Sequence, residues 1–262
     1  MEYKIADMHN DFFTSKTCDS LKLGAELTNF AVWSTYLKED ETFKLIEKIP
    51  QNSKTLLSVE DCSNISNYDR KIIDYIDIFS LTWNFDNVLG GGALGNNIGL
   101  TDKGLQVLQK LNERKKIIDV AHCSCKTFYD IAENADKIID THTCIYELCE
   151  HPRNLTYEQL KIILEKGGIV GITLVGDFLT KKPKAVAEDV ARHIDFFVQK
   201  FGNKAVGIGS DFFGTENLPV DVDNYEKYSI IVEKLLNMGY NSLAVEGILY
   251  KNFTDFLEKN AL

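Results

Sequence analysis

Short apolar runs alternate with longer amphipathic stretches along the whole chain, and this rhythm sets the expected architecture. The runs Tyr3–Met8, Glu26–Trp33, Thr55–Val59, Ile76–Leu81, Lys116–Ala121, Lys137–Thr141, Gly168–Leu174 and Ala205–Ser210 have the length and apolar content of buried strands. Between them, Glu39–Glu47, Asp102–Arg114, Cys125–Asn134, Thr156–Lys166 and Ala185–Phe201 repeat their apolar residues at helical spacing. Two further helical stretches, Asn224–Met238 and Asn241–Phe256, follow the last strand. Thr101-Asp102 opens one helix, Thr156 with Gln159 has the spacing of a capping box, and Gly167-Gly168 closes the helix ahead of the seventh strand. Eight strands alternating with helices imply parallel βαβ units. These close most economically into one (β/α)8 TIM barrel over residues 1–262, with the active site at the C-terminal ends of the strands. A doubly wound open sheet is the alternative.

Composition narrows the class without naming a chemistry. At 262 residues, 44% apolar and 26% charged, the chain can build a sizeable core within one α/β domain. A formal charge of -10 argues against a nucleic-acid partner, which would demand clustered Lys and Arg. No apolar run approaches the roughly 18 residues of a membrane span, and no charged-then-apolar leader precedes the first strand. A cytoplasmic protein is expected. Cys18, Cys62, Cys123, Cys125, Cys144 and Cys149 then read as reduced thiols, since Cys123-x-Cys125 lacks the spacer of redox and zinc-knuckle motifs.

The chemistry sits at strand ends. His9 and Asp11 follow the first strand, and residues two apart on an extended chain point to one side. Glu60 ends the third strand, His122 the fifth, His142 the sixth and Asp211 the eighth. A barrel carries its reactive groups at that end of its strands. Three imidazoles and two carboxylates exceed what one tetrahedral zinc requires, and suit two metals sharing a carboxylate. A strand-end histidine is commonly a satisfied core residue and a strand-end acid a helix cap, but those readings would have to hold independently at every position. His193, in the helical pattern Val190-Ala191-Arg192-His193-Ile194, is expected to be exposed, and His151 before Pro152 to be structural or a support to a ligand rather than a ligand itself.

The segments Asp7-Met8-His9-Asn10-Asp11, Ser58-Val59-Glu60-Asp61, Leu81-Thr82-Trp83-Asn84, Gly99-Leu100-Thr101, Ile118-Asp119-Val120-Ala121-His122, Thr141-His142-Thr143, His151-Pro152-Arg153-Asn154 and Gly207-Ile208-Gly209-Ser210-Asp211 occur in this order. As a set they resemble the membrane (renal) dipeptidase family of zinc metallopeptidases, in the amidohydrolase-like barrel group. The resemblance implies a binuclear zinc site, with His9 and Asp11 on one ion, His122 and His142 on the other, and Glu60 bridging. The same ligands accept other divalent ions such as manganese or cobalt. It further implies that Arg153 engages the substrate, that Asp211 relays a proton, and that the substrate is a small dipeptide, with a D-residue tolerated at its carboxyl side. A homodimer is implied by the family alone. In this chemistry two cations lower the pKa of a bridging water, the hydroxide attacks the peptide carbonyl, and Asp211 passes the proton to the leaving amine.

Three positions depart from the family pattern. Trp83 stands where several members carry a histidine that assists the carbonyl oxygen, and an indole offers one donor and no charge switch. A substrate-contacting tyrosine of some members is replaced near Val175, and the Asp11–Glu60 segment is short. The metal site is therefore expected to be complete and the substrate pocket altered. Two rival functions follow: hydrolysis of a lactam, cyclic amide or phosphoester on the same metals, or a catalytically weak binding protein of the same fold. The run Gly90-Gly91-Gly92-Ala93-Leu94-Gly95 lacks the Lys-Ser/Thr of a phosphate loop and is expected to be a flexible active-site loop. Phe212 and Phe213 are read equally as pocket wall or as packing.

Overall fold

The computed structural model describes residues 3–15, 24–52 and 54–260. Eight parallel strands close into a barrel in chain order. They are β1 (Ala6–Asn10), β2 (Leu27–Trp33), β3 (Thr55–Glu60), β4 (Ile78–Ser80), β5 (Ile117–Asp119), β6 (Ile138–Thr143), β7 (Val170–Thr173) and β8 (Val206–Gly209). Ile208 of β8 pairs with Asp7 of β1, so the sheet has no open edge and the doubly wound alternative is excluded. Around it lie α1 (Glu39–Ile46), α2 (Asp102–Glu113), α3 (Cys125–Asn134), α4 (Tyr157–Glu165), α5 (Gly176–Leu179), α6 (Ala187–Phe201), α7 (Tyr228–Asn237), α8 (Ser242–Glu246) and α9 (Asn252–Lys259).

The caps form as the sequence suggests. Thr101 accepts from the Gly104 N–H, and Thr156 and Gln159 bond reciprocally across the first turn of α4. Where one helix was expected over Asn241–Phe256, α8 passes through a π turn, Gly247–Lys251, before α9. Two 3-10 turns, Cys62–Asn64 and Lys71–Tyr75, stand between β3 and β4 in place of a helix.

Alternation along the strands builds two apolar layers. Leu57, Val59, Ile118 and Val120 point outward into the shell of helices. Met8, Leu56, Ile78, Ile117 and Ile139 point inward, where Phe253, Phe256 and Leu257 of α9 join them. α9 thus stoppers the N-terminal end of the barrel, leaving the opposite end for chemistry.

Two irregularities re-aim side chains at that opposite end. The pairing register slips between Asp7 and Asn10 in β1, and between Asp140 and Thr143 in β6. Such bulges place an extra residue on one strand and rotate those that follow. Met8 packs into the interior, yet its neighbour His9 reaches the interior too, and Thr141 and His142 are likewise both directed inward. The crowding is accommodated by glycine on the adjoining strands. A Cβ on Gly171 or Gly209 would overlap the Thr141 carbonyl oxygen.

Two expectations are corrected. His193 is 1% exposed rather than solvent-facing; its Nδ1 accepts from the Ile145 N–H (3.0 Å) and its Nε2 donates to the Leu179 carbonyl (2.9 Å). It ties α6 to the loop after β6 and to the end of α5. The glycine run is packed rather than loose: Gly91 donates to Thr127 Oγ1, and a Cβ on Gly92 would overlap the backbone of Trp83 and Asn84. Its glycines permit close approach to the β5 loop. Cys18 lies outside the described residues, and the other five cysteines are free thiols.

Candidate metal centre

The five expected metal ligands and Asp211 converge at the C-terminal mouth of the barrel, delivered by five strands. His9 Nε2 lies 3.3 Å from Asp11 Oδ2 and 3.8 Å from Glu60 Oε2. The other Glu60 oxygen, Oε1, meets His122 Nε2 at very short range and lies 3.9 Å from His142 Nε2. His122 and His142 bring their Nε2 atoms within 2.8 Å of each other. Glu60 therefore stands between two groups, one made with His9 and Asp11, the other with His122 and His142. Ligand atoms of Glu60, His122 and His142, and separately of His9, Asp11 and Asp211, fall within 4.8 Å of one another.

These residues suit divalent cations on their own geometry. His9 Nε2 and Asp11 Oδ1 are buried and neither makes a well-aligned hydrogen bond among the described residues, although His9 Nε2 faces Asp11 Oδ2. A buried orphan of this kind costs stability unless something fills the role of partner. The outer nitrogens of the imidazoles are already engaged: His122 Nδ1 faces Asn84 Oδ1 (2.8 Å), and His142 Nδ1 faces Thr141 Oγ1 (2.9 Å). That leaves both Nε2 atoms for the centre, the arrangement a ligating histidine needs. Backbone strain marks the same place, since His122 (φ 68°) and Asp211 (φ 57°) are left-handed without being glycine.

Charge within the cluster is strongly redistributed. Burial, reinforced by Arg153, drives His122 down to about 4, and burial with His9 and His122 holds His142 well below its usual value. Both are thereby kept as neutral imidazoles, the ligating form. Burial also opposes charge on His9, but the carboxylates of Asp11, Glu60 and Asp211 outweigh it and hold His9 up at about 10. Burial opposes ionisation of Glu60 as well; His122, His9 and Arg153 overcome it and hold Glu60 at about 2. Burial and the facing Asp11 carboxylate push Asp211 well above the usual carboxylate range. Three acids around one cationic histidine is the balance expected where cations belong.

A cleft of about 420 Å³ opens onto this cluster, bordered by Glu60, His122, Asp211, Trp33, Trp83 and Phe213. Trp83 lines this cleft, with its ring 6.1 Å from that of His122. Phe212 and Phe213 divide the two roles foreseen for them: Phe212 is buried against Tyr225, and Phe213 walls the cleft. Val175 also lines it. Arg153 is placed differently. It is 3% exposed, its Nη2 sits 3.0 Å from His142 Nε2, and its guanidinium lies over the Phe178 ring, which itself borders the cleft. It meets the centre at the Nε2 face of His142, its Nε buried without an acceptor among the described residues. His151 is structural as foreseen, accepting from the Arg153 N–H. Thr141, Asp119 and Asn84 hold the histidines and were not singled out from sequence.

Comparison with known proteins agrees with this geometry. Residues 56–261 match the model of the membrane dipeptidase family, peptidase family M19. An uncharacterized protein from the pqqA 5' region of Klebsiella pneumoniae is 31% identical over 188 residues, 67% of this chain and 69% of that one. An uncharacterized dipeptidase of Schizosaccharomyces pombe is 28% identical over 192 residues, 70% of this chain but 46% of its own length. Among solved structures, a metallopeptidase from Rhodobacter sphaeroides, liganded with a phosphinate mimic of the dipeptide L-Ala-D-Ala, superposes with a TM-score of 0.85 at 19% identity over 99% of this chain and 100% of that one. The chain belongs to the membrane dipeptidase family, peptidase family M19, and is a metal-dependent hydrolase on a (β/α)8 barrel.

Proposed function

We propose that this protein hydrolyses small dipeptides at two divalent ions, Zn2+ by first preference, with His9 and Asp11 holding one, His122 and His142 the other, and Glu60 shared. One observation carries the reading: the two oxygens of Glu60 are divided between the two histidine groups. When bound there, the two cations supply a water that ionises near neutral pH and a polarised peptide carbonyl.

The remaining work falls to side chains. Asp211, half-buried against Asp11 and facing the cleft, takes the proton of the attacking water and returns it to the departing amine. Arg153 offers fixed positive charge to the substrate carboxylate from beside His142, which limits substrate length. Trp33, Tyr36 and Trp83 form an aromatic wall, their centroids 5.0 to 6.4 Å apart. Rings that close pack on one another and leave no slot for a cation, so the wall offers apolar surface to a bulky substrate side chain. Tolerance of a D-residue at the carboxyl side belongs to the same reading, in keeping with the mimic bound by the Rhodobacter sphaeroides relative.

The test is a panel of dipeptides, including L-Ala-D-Ala and aromatic pairs, assayed with zinc-loaded enzyme, after chelation and after zinc is restored. Hydrolysis that vanishes and returns supports the proposal. Faster turnover of lactams or phosphoesters than of any dipeptide would replace it with the rival reaction.

A further inference from the structure

Behind the candidate ligands, one buried hydroxyl touches both histidine groups. Thr141 Oγ1 lies 3.1 Å from His9 Nδ1 and 2.9 Å from His142 Nδ1, and it donates to Asp119 Oδ2 at 2.6 Å. Thr141, Asp119, His9 and His142 are each no more than 1% exposed, so water cannot substitute for any of these contacts.

Counting hydrogens settles the polarity of this cluster. A threonine hydroxyl carries one hydrogen and two lone pairs. Asp119 has its own acceptor positions filled: Oδ1 accepts the N–H groups of Ala121 and Thr141, and Oδ2 accepts Ser80 Oγ together with Thr141 Oγ1. The Thr141 hydrogen is thus committed to Asp119. Its two lone pairs face the two histidines, and only an N–H can satisfy a lone pair.

We infer that Thr141, its hydroxyl polarised by Asp119, is the positioning residue that accepts the Nδ1–H of His9 and of His142 together and turns one Nε2 toward each of the two metals. The inference rests on the metal reading above, and it joins two ions that a ligand list treats separately. It also gives the β6 bulge a purpose, since regular alternation would send Thr141 and His142 to opposite faces. The hydroxyl can reach both rings only because their centroids lie 3.7 Å apart.

The experiment compares Thr141→Val, Thr141→Ser and Asp119→Asn with the wild-type chain, by imidazole-detected NMR without metal and by zinc titration against a competing chelator. Wild-type protein should show two protected Nδ1–H signals, from His9 and His142. Thr141→Val should lose both and bind both zinc ions about 10–100-fold more weakly, while Thr141→Ser keeps both signals and wild-type affinity. In Asp119→Asn the amide donates to the hydroxyl, whose hydrogen must turn to one histidine, so at most one signal survives. Protected signals that persist in Thr141→Val, weakening of one zinc alone, or a Thr141→Ser variant as impaired as Thr141→Val would overturn the inference. Two signals in a wild-type protein that takes up no zinc would uphold the hydroxyl's role and refute the metal reading.

Discussion

Asp211 is pulled in two directions. Its backbone is held left-handed at the end of β8, and its carboxyl is pressed against that of Asp11 in a buried mouth. Neither condition favours the fold, and both suit the proton exchange proposed for it within the cleft. Asp211→Asn should lower kcat by about 10²–10⁴-fold, with KM and metal content little changed, as steady-state kinetics and elemental analysis would show. Trp83 makes a different demand. If its ring is a wall for a bulky side chain, Trp83→Ala should raise KM roughly tenfold for aromatic dipeptides and far less for L-Ala-D-Ala, a split that a parallel KM series reads directly. At this scale the strand-end cluster was legible because His and acids at five strand ends rarely coincide. Thr141, Asp119 and Asn84 were not, because such residues are ordinary near strand ends and only three-dimensional contact reveals whose nitrogen they hold.

Elements were read best where periodicity was long and worst where it broke. The barrel strands and α2, α3, α4 and α6 follow their patterns closely, whereas the bulges in β1 and β6 leave no trace in hydrophobic alternation. His193 shows how a residue-by-residue reading misleads. Its neighbour Arg192 is exposed, yet His193 lies three residues after Val190 and four before Phe197, within the stripe that α6 buries. That burial has a pH consequence. Burial and Arg192 hold the folded His193 at about 4, although a hydrogen bond to the Leu179 carbonyl opposes them. The unfolded chain binds this proton first as pH falls below 6.5, so the contribution is intact above that point and is lost between 6.5 and about 4. The loss amounts to roughly 3 kcal/mol. His193→Gln, which can make both hydrogen bonds without titrating, should flatten the fall of Tm across that window, measured as the difference from wild type. At the other end of the barrel, Phe253→Ala should cost about 3–5 kcal/mol in denaturant unfolding, since it empties the stopper that α9 inserts.

For the whole molecule, one asymmetry organises the account. The N-terminal end of the barrel is closed by apolar side chains, and the C-terminal end gathers acids, imidazoles and one buried arginine around unsatisfied atoms. The closed topology was legible from eight alternating runs, and Trp83 was singled out before the cleft it lines was seen; the burial of Arg153 against His142 Nε2 was not legible, because sequence order carries no depth. An assembly of this kind should be stabilised by the ions it is shaped for. Zinc at about 100 times its Kd should raise Tm by ~5–10 °C over chelated protein. The most direct test of the central claim is metal content per chain by elemental analysis, on wild type and Glu60→Gln purified without chelator. About two equivalents in the wild type, falling sharply in the variant, is the predicted result. One equivalent or none, unchanged in Glu60→Gln and after zinc reconstitution, would contradict the shared-carboxylate centre and the hydrolysis built on it.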